Sequence, residues 1–330
     1  MITKSEEPAV AERSVIWARV FGWSMLSALV AYLFNVYFSN SLGWPGPAGI
    51  LKGAGILSWL QIAFYIAAIA AASFYVLKNK EVSLVEDSAK ITRFNAWLVR
   101  GVFWAVLFVG IVDATISFLR VEDLLASVVG EELTTQLGRP SFRGLFVHIP
   151  LVVVGFIIAS FTRTLGFHWL TLLIVVAELS IVFTRFIFSY EQAFMGDLVR
   201  YWYGGLFLFA SAYTLLEDGH VRVDVLYASF RKKTRGIVNS VGSMVLGISL
   251  CWTILIIGFG SRTAIIYSPL TNFEVSQSGY GMYVKYQLAA FLGIFAITMM
   301  IQFVASFLES VSDYLDASDD EVPEASLSHG

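Results

Sequence analysis

Cysteine is almost missing from this chain: Cys251 stands alone among 330 residues. An intrachain disulfide and a cysteine-built zinc site are therefore excluded, and a lone thiol inside an apolar run reads as a small packing residue. Charge is scarce too. Asp, Glu, Lys and Arg make up 14% of the chain and apolar types 57%, whereas ordinary globular domains are about a quarter charged. That excludes most soluble folds. With a net charge of −3 and its basic residues at the ends of apolar runs, the chain also lacks the basic face a nucleic-acid partner requires. Glycine-rich phosphate loops, zinc-protease helices and nucleophile elbows are absent. Neither an enzyme activity nor a cofactor is expected.

What the chain has in abundance is membrane-length apolar runs. Eight are read at 15–38, 55–77, 98–118, 143–161, 165–189, 195–216, 237–260 and 284–307. Each is long enough to cross about 30 Å of hydrocarbon at 1.5 Å per residue. Backbone groups in lipid must be satisfied within the segment, and the alternation of a barrel strand is missing, so the spans are helices. The expected fold is an all-α integral membrane protein of about eight helices. A short turn at Thr162–Thr164 separates the fourth span from the fifth. The polar start, 1–13, and the acidic tail, 309–330, read as solvated ends. No cleavable leader is expected, because the first run is too long for a leader core.

Placing the N-terminus inside puts fourteen of the 22 Lys and Arg residues on the cytoplasmic side, so both termini are expected there. In Val121–Leu137, Leu125, Val129, Leu133 and Leu137 recur every four residues beside an acidic face, the pattern of one amphipathic surface helix. His148 falls near the outer end of the fourth span and His168 near the inner end of the fifth. About thirteen residues of rise, roughly 20 Å, divide their depths, too far to ligate one haem.

Ionisable residues inside spans mark pairing or function. They are Asp113, Glu178 and Arg185, with Asp197 and Arg200 opening the sixth span. Glu178 is the deepest of the group around Arg185 and the best single candidate for a buried polar contact. Arg185, Glu191, Asp197 and Arg200 lie toward the outer end, where two readings stand: a network locking spans five and six, or an ion or substrate path. Asp113 is expected to face a neighbouring helix.

Tyr213–Arg235 is the longest polar interruption of the second half and joins spans six and seven on the cytoplasmic side. His220, Arg222 and Asp224 read as a local cap and ion pair. Tyr227 and Phe230 share a helical face, while Arg231, Lys232, Lys233 and Arg235 suit headgroups or solvent. Gly204, Gly205 and Ala210 are small enough for close helix approach, at a partner or lipid interface.

Residues 165–310 resemble the small permease, or DctQ-type subunit, of tripartite ATP-independent periplasmic (TRAP) transporters. The resemblance is carried by VFTRFIFSYEQ, by YWYGGLFLFASAYTLLEDG and by HVRVDVLYASFRKKTRGIV. His220, Val221, Val223 and Asp224 fit the family's His-Val/Ile-x-Val-Asp pattern, and Glu274 with Ser276 its Glu-x-Ser segment. Gly281-Met282-Tyr283 departs from the usual Pro-Trp-like ending of that loop. The resemblance implies a four-helix region at 163–308, preceded by four extra helices at 14–162, like the enlarged forms of the mannitol/chloroaromatic branch. It further implies a bacterial inner-membrane scaffold working with a large permease and a periplasmic solute receptor, surrounded by membrane lipids, in sodium-coupled uptake of an organic acid such as a 2-oxo acid. A stand-alone secondary transporter or channel is the alternative.

Overall fold

A computed structural model describes residues 7–53, 55–164, 167–190, 193–216, 227, 229–275 and 281–316. The described residues are helical with short connections and form no strand. The helices are α1 (Glu7–Asn40), α2 (Ile56–Lys78), α3 (Leu84–Val121), α4 (Leu125–Val129), α5 (Glu131–Leu137), α6 (Pro140–Arg143), α7 (Ile149–Phe161), α8 (Phe167–Phe188), α9 (Ala193–Leu216), α10 (Lys232–Val241), α11 (Ser249–Phe259), α12 (Tyr267–Asn272) and α13 (Lys285–Asp316). A 3₁₀ turn, Pro47–Lys52, joins α1 to α2. π-turns at Gly144–His148 and Gly242–Ile248 link α6 to α7 and α10 to α11.

Seven stretches among the described residues are long and apolar enough to span a bilayer, and they fall on seven of the eight expected spans. The chain is a multi-pass membrane protein. The remaining expected span is α9, which is long enough at 24 residues but diluted by Asp197, Arg200 and a run of Tyr, Trp and Gly. Several helices outrun their apolar segments. The third begins at Leu84, fourteen residues before the apolar run, because Ser83 and Glu86 form a reciprocal cap: the Glu86 amide donates to Ser83 Oγ at 3.2 Å and the Ser83 amide to Glu86 Oε2 at 3.4 Å. Hydropathy marks the part that must be in lipid, not where the helix starts.

The surface helix expected over Val121–Leu137 is instead two short ones. Gly130, at φ +83° and ψ 160°, takes a conformation open only to glycine and breaks the run into α4 and α5. Leu125 and Leu137 are buried, but Leu133 is exposed, so no single apolar stripe forms.

The chain divides into two compact units. Unit 1 takes residues 1–93, 218–253 and 299–330. Its α1–α2 hairpin is closed at one end by Phe34, Phe38, Trp44 and Phe64, whose rings meet edge-on or stacked at 4.9–6.3 Å, and by Gln61 Nε2 donating to Ser39 Oγ at 2.9 Å. Its charge is locked in one place. Arg19 Nε donates to Asp87 Oδ2 at 2.7 Å with both side chains fully buried, Trp23 Nε1 reaches the same oxygen at 2.9 Å, and Arg19 Nη1 caps the Asn79 carbonyl at 2.8 Å.

Unit 2 takes residues 94–217 and 254–298. Its α3 and α7 approach to backbone contact. A Cβ on Gly155 would lie 2.6 Å from the Ala105 amide nitrogen, and one on Gly101 would enter the Phe156 ring. Small residues permit this in a membrane, where dispersion rather than water expulsion holds helices together.

Candidate functional site

Unit 2 buries one concentrated set of polar side chains. It is built on α3, where Asp113 and Ser117 share a face one turn apart. Asp113 Oδ1 accepts from Arg143 Nη1 at 3.0 Å and from His148 Nε2 at 2.9 Å, and Oδ2 accepts the Tyr283 amide at 2.9 Å. All three side chains are essentially inaccessible. Arg143 also donates from Nε to the Leu137 carbonyl at 3.0 Å and from Nη1 to Ser117 Oγ at 3.3 Å, while its Cζ lies 4.1 Å from the centre of the Tyr283 ring. Its Nη2 makes no hydrogen bond.

Local backbone geometry brings Arg143 and His148 to the same oxygen. Residues five apart on an α-helix point about 140° from each other. Pro150 lacks an amide hydrogen, and just before it the Ile149 amide bonds back five residues to the Gly144 carbonyl. In such a π-turn, residues five apart stack on one side. Gly144 is required there: a Cβ would stand 2.4 Å from the Phe273 ring and 3.2 Å from the Tyr286 hydroxyl.

On its other side His148 joins a second layer. Nδ1 lies 2.8 Å from Gln287 Nε2 and 2.7 Å from the Tyr286 hydroxyl, and the buried Tyr201 hydroxyl donates to Gln287 Oε1. An amide nitrogen only donates, so Nδ1 is the acceptor and the ring proton sits on Nε2, facing Asp113. The donors thus run in one direction, from Tyr201 through Gln287 and His148 to the carboxylate. A primary amide in the middle makes this a lock and a poor proton wire.

The loop entering α13 is fastened by two carboxylates. The Met282 amide donates to Asp197 Oδ2 at 3.2 Å, next to the Tyr283 amide on Asp113. Glu274 completes the entry, its carbonyl accepting the Tyr286 amide at 3.1 Å and its carboxylate meeting Lys285 Nζ at 3.0 Å. Tyr283 lies deep in the same place, donating to the Gly138 carbonyl at 3.0 Å and accepting from Arg120. Outside the spans, Tyr190 donates to Glu122, and that carboxylate pushes the phenol up to about 12.

An apolar cavity of about 340 Å³ borders the cluster, walled by Val102, Val106, Val152, Phe156, Phe291 and Ile294. His148, Tyr201, Tyr286 and Gln287 close one end, with their polar atoms committed to one another. Among the described residues no group of three or more His, Cys, Asp or Glu side chains is placed to hold a metal ion.

Sequence reasoning located Asp113 but missed its partners. Arg143 counts there as an outward loop charge, and the five-residue spacing to His148 hides their common face. Asp197 pairs with Arg200 at 3.8 Å, but Arg200 is largely exposed, and the buried partner of Asp197 is the Met282 amide. Glu178 is a correction: it is exposed on α8, which turns Leu170, Ile174 and Ala177 inward instead. Arg185 is exposed on the same helix. Gly204 faces Leu288 of α13 and Gly205 faces Val106 of α3, both within the unit, and Ala210 is half-buried. In unit 1, Tyr227 accepts from Asn239 at 2.7 Å and lies under the Arg235 guanidinium, whose Nε donates to the Phe230 carbonyl at 3.0 Å. Arg231 precedes α10, Lys232 is exposed, and Lys233 lies over the Tyr314 ring at 5.7 Å. His220, Arg222, Asp224, Glu191 and Ser276 lie outside the described residues.

No curated protein and no solved structure is significantly similar to the chain. A family model does match, over residues 171–313, and its description is the DctQ component of the tripartite ATP-independent periplasmic transporters. The matched stretch runs from α8 into α13 and includes Asp197, Tyr201, Glu274 and the whole Met282–Gln287 entry. Residues 171–313 therefore match the DctQ domain of this transporter family.

Proposed function

We propose that this chain is the fixed scaffold of a bacterial inner-membrane TRAP transporter, in which a separate large permease carries substrate and sodium and a periplasmic receptor delivers an organic acid. Both termini are cytoplasmic, and the helices before the family match enlarge the scaffold surface. The observation that carries this reading is how far the charges of the cluster are turned on one another. Asp113 has three donors, Arg143 and His148 both bond to it with only the buried Arg143 Nη2 left over, and the neighbouring cavity offers a carboxylate substrate almost only carbon. A residue whose hydrogen bonds are all internal holds helices together; a transport site needs groups left open to exchange.

Reconstitution tests it. Liposomes containing this chain, the large permease and the receptor should accumulate the organic acid when a sodium gradient is imposed. Omitting the large permease should abolish uptake. Accumulation by this chain and the receptor alone would assign the transport path to this chain and overturn the scaffold reading.

A further inference from the structure

Glu178 occupies the middle of α8, eleven residues from Phe167 and ten from Phe188, so its Cα lies about 15 Å from either end of the helix. That is the mid-plane of a hydrocarbon core about 30 Å thick. Its side chain is exposed, and among the described residues no hydrogen bond or ion pair joins it to another side chain. Thr171, Val175 and Val182 continue the same outward stripe at three- and four-residue steps, and all are exposed. The helix as a whole is the barest of the seven spans, with 11% of its apolar stretch buried.

A carboxyl group facing lipid at that depth is costly, and such groups as a rule turn toward a partner. Elsewhere in the described chain the cost is met internally, as Asp113 meets it with three donors. Glu178 has no such partner among the described residues. We infer that the Thr171–Val175–Glu178–Val182 stripe of α8 is a docking surface for a transmembrane helix of the large permease, and that this helix places a hydrogen-bond donor, a basic or amide side chain, opposite Glu178 at mid-membrane. A donor of that kind compensates the carboxylate, and the apolar residues on either side give the contact its area. This inference rests on the two-subunit reading above and names the surface that reading requires.

The test is co-purification of full-length chain and large permease from membranes, with the isolated chain's thermal stability measured in parallel. Glu178→Leu should leave that stability unchanged or slightly raised and lower recovery of the permease at least tenfold. Glu178→Gln, which keeps a hydrogen-bonding group, should recover most of it. Leu172→Ala, on an exposed part of α8 outside the stripe, should have no effect. Unchanged recovery with Glu178→Leu would overturn the inference and leave a carboxyl group facing lipid. Loss of a homodimer rather than of the permease would overturn it in favour of a second copy of this chain. If the unsubstituted chain retains no large permease at all, the two-subunit reading fails first, and the inference with it.

Discussion

Among the described residues each unit buries one arginine–aspartate pair, and the two pairs are held by different means. In unit 1, Asp87 sits in the first turn of α3 and Arg19 caps a carbonyl at the end of α2. Both helix dipoles favour those charges where they are, and Lys90 lies 3.7 Å from the second carboxylate oxygen. In unit 2, Asp113 sits two turns inside α3, where the helix end gives no help, and its charge is met only by Arg143, His148 and the Tyr283 amide. A helix terminus can carry part of the burden of a buried charge. A helix interior must delegate all of it to side chains and a loop, so removing one member should cost more in unit 2.

The sharpest probe is Asp113→Ala. It strands a buried guanidinium and frees the α13 entry, and should destabilise the protein by about 3–5 kcal/mol, read as loss of folded material or a collapsed thermal transition in detergent. The double variant Asp113→Leu/Arg143→Met removes both charges and should recover most of that loss. Arg19→Leu should cost less, about 2–3 kcal/mol, because Asp87 retains Trp23, Lys90 and the helix N-terminus. Equal losses from Arg19→Leu and Asp113→Ala in the same melting assay would break the comparison. Gly155→Ala tests packing without charge. It forces a Cβ onto the Ala105 backbone and should cost about 1–3 kcal/mol by the same measurement. Smallest of all is Glu274→Gln, which removes a half-exposed pair with Lys285 and should change stability by less than about 1 kcal/mol, a difference reduced further by salt.

The sequence shows the class of fold and the positions of the spans plainly, because length and apolarity decide both. It also shows Asp113 as a residue that must find a partner. The identity of that partner is hidden, for a definite reason. Helical wheels assume 3.6 residues per turn, and on such a wheel Arg143 and His148 diverge, while the π-turn at Gly144–His148 brings them together. Arg19 is hidden differently. Counted as one of the cytoplasmic charges, it lies buried and bonded to Asp87, and no local pattern links residues 68 apart. Glu178 is legible as a costly residue, but the expectation of a contact within the chain fails because the inward face of α8 is the one bearing Leu170, Ile174 and Ala177.

The π-turn before α7 also determines how this chain tolerates changes of length. A π-turn is a helix carrying one residue more than its neighbours need. Deleting Leu145, Phe146 or Val147 would restore regular winding with Arg143 and His148 four residues apart, about 40° from each other on the helix. Both would stay on the side that faces Asp113, because the turn already holds a residue to spare. An inserted residue meets no such slack and would swing Pro140–Arg143 by about 100° relative to α7, drawing Arg143 away from Asp113. At this point the chain is built to bear shortening and not lengthening.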